Sequence, residues 1–259
     1  MDLGLAGRKA IVCASSRGLG KACATALARE GVAVVINGRD AERLEATAAE
    51  IHRETAAEVT PVVADLCTDD GRARLVAACP EPDILVTNNG GPPPARFEDC
   101  DHAAWLAALE QNLLAPVLMI RAVVGGMRAR RFGRIVNITS AMVKSPHPLM
   151  GLSTAARSAL TAACKGLSKE VAADNVTINN LLPERIDTDR QRFMAGLQAA
   201  ARSISVEEAY RDIASSIAAN RLGTPAELGA ACAYLCSDLA GFVSGQNLQV
   251  DGGSYAGLI

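Results

Sequence analysis

Short apolar, β-branched segments alternate with helix-patterned ones along almost the whole chain. That alternation predicts an α/β fold built on a doubly wound parallel sheet. Two further observations agree. Hydrophobic residues make up 49% of the 259 residues and aromatics only 3%, so the core is aliphatic and alanine-rich. Such a core suits parallel strands under closely packed helices. A glycine-rich turn, Ala14-Ser15-Ser16-Arg17-Gly18-Leu19-Gly20, also joins the first strand to the first helix.

Each element follows in order. Lys9 to Cys13 is a short buried strand, and Leu19 to Glu30 a helix entered from that turn. Val32 to Asn37 is a second β-branched run, followed by helical patterning from Ala41 to about Glu54. Val59 to Ala64 is the third strand. The helix after it ends at Pro80 and Pro82, and Ile84 to Thr87 is the fourth strand. A long helix around Asn112 to Met127 leads to the fifth strand, Arg134 to Ile138. Another, Thr154 to Ala173, leads to the sixth, Val176 to Leu181, and Gln246 to Val250 closes the series. Thr188 to about Leu222 breaks the rhythm, with helical patterning and no strand. It follows the carboxyl end of the sixth strand, where ligands bind in such sheets, and is a candidate lid over the substrate. No linker, repeat or low-complexity tract divides the chain. Residues 1–259 therefore read as one domain of Rossmann type, with helices on both sheet faces.

A formal net charge of −2 gives no reason to expect nucleic acid or an anionic membrane as partner. The eight cysteines include no CxxC pair. Cys232 and Cys236, four apart in an alanine-rich helical stretch, read as small buried apolar residues, and no metal site is expected. The N-terminus lacks the basic start, apolar run and cleavage site of a leader. No charge-free run is long enough to span a bilayer. The expectation is a soluble, cytoplasmic protein.

The turn from Ala14 to Gly20 is placed to bring backbone N–H groups of the next helix up to a pyrophosphate. The second strand ends Asn37-Gly38-Arg39, where an NAD site would want an acid for the ribose hydroxyls. Arg17 and Arg39 stand there instead, and two guanidinium groups suit a 2′-phosphate. Asp40 lies past the arginine and suits capping the helix from Ala41. The reading is NADP(H).

With these segments in place the whole chain resembles the short-chain dehydrogenase/reductase family, in style nearest the 3-oxoacyl-carrier-protein reductases. The glycine-rich turn, Asp65-Leu66, Asn88-Asn89-Gly90-Gly91, Asn112, Asn137-Ile138-Thr139-Ser140, Pro183 to Thr188 and Gly245 to Gly253 carry the likeness. The resemblance implies that Ser15, Ser16, Arg17, Gly18, Leu19 and Gly20 cradle the cofactor. It implies Asp65 and Leu66 beside the adenine, and Asn89 with Gly90 near the ribose. Pro183, Ile186 and Thr188 would lie at the nicotinamide, and Ser140 and Asn112 in the catalytic group. It also implies a homo-oligomer, dimer or tetramer, formed through the helices around Asn112 and Ser153. The alanine-rich run from Thr154 to Ala163 allows close approach there.

Three departures bear on chemistry. Cys13-Ala14 stands where the family has Thr-Gly, and Ala14 is expected to keep ordinary backbone angles. Pro183-Glu184 replaces Pro-Gly. The family places a tyrosine thirteen residues after the serine and a lysine four beyond; counting from Ser140 gives Ser153 and Arg157. Carbonyl reduction needs a proton for the developing alkoxide, and serine is a far weaker acid than phenol. Arg157 keeps a positive charge that can bind the nicotinamide ribose or stabilise an oxyanion, but with an ordinary pKa of about 12.5 it does not titrate usefully. Alternative proton sources are His147, Lys144, Tyr210, Tyr255 or a water relayed by Asn112, and they stay open at this point. Two functions follow: an NADP(H)-dependent oxidoreductase of altered mechanism on a ketone or secondary alcohol, or a cofactor-binding sensor or hetero-oligomer partner with little turnover. Within the lid, Phe193, Met194, Leu197 and Ile204 offer apolar contacts, and Arg185, Arg190 and Arg192 could attract an anionic group.

Overall fold

The computed structural model describes residues 1–258. Seven parallel strands form one sheet: β1 (Lys9–Val12), β2 (Ala33–Gly38), β3 (Val59–Val63), β4 (Ile84–Thr87), β5 (Gly133–Ile138), β6 (Val176–Pro183) and β7 (Asn247–Val250). Their order is β3-β2-β1-β4-β5-β6-β7, so the chain reverses its winding between β1 and β4. That switch point opens a crevice at the strands' carboxyl ends. Pro61 has no N–H for a ladder and sits in β3, at the edge, where a missing donor is tolerated.

The inner strands β1, β2, β4 and β5 are mostly apolar and buried because helices cover both faces, whereas the edge strands β3 and β7 are only partly buried. On one face α1 (Gly18–Arg29), α2 (Ala41–Thr55) and α9 (Pro225–Cys236) bury Leu27, Leu44, Ile51 and Leu228 against Val12, Ile36 and Val86. Cys23, Cys232 and Cys236 lie fully buried in the same cluster, as expected of small apolar residues. On the other face α3 (Asp69–Ala78), α5 (Ala115–Arg130) and α6 (Gly151–Val171) bury Leu75, Met119, Met127 and Leu160 against Ile11, Leu85 and Ile135. Each fully buried Leu or Ile contributes about 1.5–3 kcal/mol.

The helix expected around Asn112 to Met127 is longer and interrupted. It starts as α4 (His102–Leu109), passes through a π-turn at Glu110–Leu114 and continues as α5. His102–Arg130 is, among the described residues, the one helical stretch long and apolar enough by length and composition to cross a membrane. Here Met119, Ile120, Val123 and Met127 pack it on the sheet. The segment after β6 holds α7 (Asp189–Arg202) and α8 (Val206–Ser215), joined by their own small core of Ala195, Ala199, Ala209 and Ile213.

Candidate active site

The tips of β1 and β2 are tied by a buried polar plug. The Ser15 hydroxyl donates to the Val12 carbonyl at 2.6 Å and accepts from the Asn37 N–H at 2.9 Å. The Asn37 side chain donates to the carbonyls of Val62 and Ala64 and accepts from the Ala14 N–H. Ser15, fully buried, thus spends its side chain on the turn itself. The Ser16 carbonyl accepts from Thr47 Oγ1 at 2.9 Å, which moors the turn to α2.

Ala14 corrects the expectation of ordinary backbone angles: its φ is 44°, in the left-handed region. The cause lies in its carbonyl, which accepts from Asn88 Nδ2 at 3.0 Å and would lie 2.5 Å from a Cβ added at Gly20. Aiming that oxygen inward forces the backbone over, at a cost of about 1–2 kcal/mol for a residue with a Cβ. Ala14→Gly is therefore expected to raise stability by about 0.5–1 kcal/mol, after the freedom glycine adds to the unfolded chain. The measurement is the urea midpoint; a lower one would contradict strain at this position.

The start of α1 is built to meet something external. Arg17 occupies its N-cap position without a side-chain cap, and the first turn holds no acid. The leading N–H groups at the positive end of the helix are thus left available for an anion. Gly18, with φ +57°, leaves room above them, since an added Cβ would meet only Thr188 Cγ2, at 3.9 Å. Arg17 is 62% exposed and lies 3.5 Å from Asp189. Arg39 stands exposed at the β2 tip and makes no ion pair among the described residues. Asp40 turns away to cap α2, accepting from the Arg43 N–H at 3.1 Å, as its position beyond Arg39 led us to expect.

The remaining landmarks ring the crevice. Asp65 accepts from the Cys67 N–H, and Leu66 is buried beside it. Leu19 packs against the core of its sheet face. An added Cβ at Gly90 would meet nothing within 4 Å. Pro183 ends β6, Ile186 bridges to Gly223, and Thr188 caps α7. The left-handed position in this loop falls on Arg185 (φ 55°), one residue past Glu184.

Four residues converge beneath. Arg157, on α6, is 8% exposed; its Nε donates to Ser153 Oγ at 3.2 Å, and its terminal nitrogens to the carbonyls of Ile138 (2.7 Å) and Asn89 (3.4 Å). Asn89 is itself anchored, its Nδ2 donating to the Gln111 carbonyl at 2.5 Å. Asn112 lies in the π-turn, a distortion that recurs at functional sites. Its Nδ2 makes only long contacts, and its buried Oδ1 has no partner. Asn89, Asn112 and Arg157 line one small cavity. Burial, and then the charge of Arg190, pull the Arg157 pKa down to about 10, so it stays a cation at neutral pH. Ser140, two residues past the end of β5, accepts from the Met142 N–H at 3.2 Å, and its own O–H is not donated to any described group.

His147 is exposed and spends Nδ1 accepting from the Leu149 N–H, with no hydrogen bond to Ser153 or Arg157. The Tyr210 hydroxyl donates to Asp187 at 2.9 Å; burial and that carboxylate push its pKa up to about 12. Lys144 donates to Gln249 and faces the Tyr255 ring at 5.3 Å. Sequence reasoning gave no role to the plug residue Asn37, which reads as the polar end of a strand, and named Asn88 as a landmark without its part as the tether of Ala14.

A family model described as "Enoyl-(Acyl carrier protein) reductase" matches residues 13–255. The chain is 32% identical over 252 residues to the NADPH-dependent reductase BacG of Bacillus subtilis, covering 95% of this chain and 97% of that one. It is 29% identical to the 3-oxoacyl-[acyl-carrier-protein] reductase FabG of Aquifex aeolicus, over 98% of this chain and 100% of that one. Among solved structures, L-sorbose reductase from Gluconobacter frateurii, complexed with NADPH and L-sorbose, superposes with a TM-score of 0.94. It is 28% identical, with 100% of both chains covered. Sheet order, turn, crevice and this likeness along the whole length agree: the chain is a member of the short-chain dehydrogenase/reductase family.

Proposed function

We propose that the protein is an NADP(H)-dependent oxidoreductase interconverting a ketone and a secondary alcohol, with a guanidinium and hydroxyls in place of the family's phenol and ammonium. The observation that carries this reading is Arg157. A cation is kept buried at the lysine position, braced by Ile138, Asn89 and Ser153. The NADP(H) relatives and the uncapped start of α1 support the cofactor. Ser16, Arg17, Gly18, Leu19 and Gly20 would take its pyrophosphate and Arg17 with Arg39 its 2′-phosphate. Asp65 and Leu66 would take its adenine, Asn89, Gly90 and Arg157 its nicotinamide ribose, and Pro183, Ile186 and Thr188 its amide. The nicotinamide supplies the hydride when bound. Ser140 donates a hydrogen bond to the substrate oxygen, and Arg157 with Ser153 stabilises the charge that develops there. The unpartnered Oδ1 of Asn112 accepts from the water that carries the proton in from solvent once the tight cavity it lines opens.

Losing Arg17 and Arg39 together is expected to weaken NADPH binding by roughly 30-fold while leaving NADH binding little changed, for about 1 kcal/mol per exposed charge-assisted contact. Fluorescence titration reads it, and an unchanged NADPH affinity would remove the 2′-phosphate assignment. A second reading, a cofactor-binding partner with little turnover, is favoured by the commitment of the His147 Nδ1 and the Tyr210 hydroxyl to other partners, Leu149 and Asp187. NADPH oxidation against diketones and β-ketoacyl thioesters decides between them: silence across the panel with tight NADPH binding selects the partner. Assembly into a dimer or tetramer runs through α4, α5 and α6, where Leu106 (54%) and Leu114 (43%) are exposed. Residues 188–222 close over the substrate, and the protein works in the cytoplasm.

A further inference from the structure

Arg157 on α6 and Arg190 on α7 reach the same short loop. Arg157 donates to the Asn89 carbonyl at 3.4 Å and Arg190 to the Pro92 carbonyl at 2.8 Å. The acids around Arg190 are committed elsewhere: Glu184 to Arg185 at 3.6 Å, Asp187 to Arg192 at 3.8 Å and to Tyr210, and Asp189 to Arg17. Of the three arginines from residue 185 to residue 192, Arg190 alone has no carboxylate partner; its guanidinium also lies over the Phe193 ring, 5.6 Å from the centroid.

Arg134 shows what a purely structural buried arginine looks like in this protein. It lies at the amino end of β5, donates to the carbonyls of Ser237, Gly133 and Asn175, and has Asp238 near enough to favour its charge by more than the neighbouring Arg8 opposes it. Arg157 has no such acid, and the charge facing it is a second cation, Arg190. Two like charges gathered without a counterion are unfavourable until an anion joins them.

We propose that Arg190, with Arg157 behind it, binds an anionic oxygen group, a carboxylate or a phosphate, carried by the substrate. The enzyme is then selective for oxo acids or phosphorylated ketones over their neutral counterparts. This rests on the carbonyl-reductase reading above. An exposed guanidinium at the mouth of the crevice makes charge-assisted, bidentate contacts with either group.

The test compares, with NADPH, a 3-oxo acid against its methyl ester and dihydroxyacetone phosphate against dihydroxyacetone. The charged member of at least one pair is expected to show kcat/KM higher by roughly tenfold or more. Which pair responds names the anion. Arg190→Gln should collapse that ratio toward one through KM, and Arg190→Lys should restore part of it. The preference should shrink as salt rises from about 0.05 to 0.5 M. Equal rates within both pairs, or equal losses for charged and neutral members in Arg190→Gln, would overturn the proposal. If no ketone is reduced, the reductase reading fails separately. Anion binding is then read by whether malonate or inorganic phosphate raises the Tm of the NADPH-bound wild type more than that of Arg190→Gln. No such difference overturns it too.

Discussion

Replacing Arg157 with methionine is expected to make the protein more stable and the enzyme nearly inactive. The guanidinium is buried, faces another cation, and is compensated by carbonyls and one hydroxyl only. Exchanging a buried charge for an apolar side chain of similar length is often neutral or stabilising. Here a gain of about 1 kcal/mol is expected, part of the benefit being lost because the Ile138 carbonyl gives up its donor. The sign with pH follows from the lowered pKa. The folded protein holds this proton less tightly than the unfolded chain, so the penalty is full at neutral pH and fades as pH rises through about 10. The stabilising effect of methionine should fade over the same range. Activity should move the other way, with kcat/KM for reduction falling about 10²–10³-fold as a fixed oxyanion donor is lost. Thermal unfolding and NADPH oxidation on one preparation check both halves. A variant that is less stable, or that keeps its rate, would show that Arg157 is a structural residue.

The double substitution Ser153→Tyr with Arg157→Lys is expected to raise kcat for carbonyl reduction by about 10²-fold, the usual contribution of a positioned general acid. The pH profile should change shape as well. Neither Ser140, Ser153, Asn112 nor Arg157 titrates between about pH 6 and 9, so the wild-type kcat/KM should be flat there. The double variant should gain an ionisation from the new phenol. Ser153→Phe with Arg157→Lys supplies the ring without the hydroxyl and should show neither effect. A folded, NADPH-binding tyrosine variant with unchanged kcat would mean that the wild type already has an efficient proton donor.

The parts of this protein that follow from periodic burial were readable in advance. The inner strands lie where apolar, mostly β-branched runs end at turn residues, because a strand covered on both faces leaves little choice of residue. Arg157 was found by counting from Ser140, but its meaning was not. Only folding shows that no acid reaches it and that Arg190, 33 positions on, does. The π-turn at Asn112 was equally hidden, since one wide turn leaves the helical period of the flanking segments almost unchanged. Ala14 was misjudged for a related reason. Its left-handed backbone is imposed by Asn88 and Gly20, and no local preference of alanine announces it.

The knot of hydrogen bonds around Asn37 has an evolutionary consequence. Ser15 and Asn37 hold the ends of β1 and β2 in place using only each other and neighbouring backbone groups. Arg17 and Arg39, at the rim of that frame, contribute nothing to it. Lineages could therefore exchange Arg39 for an acid and Arg17 for a neutral residue, and trade one dinucleotide for another, while the scaffold stays intact. Asn37 itself could not drift so freely, because its loss would unfasten three strand tips at once.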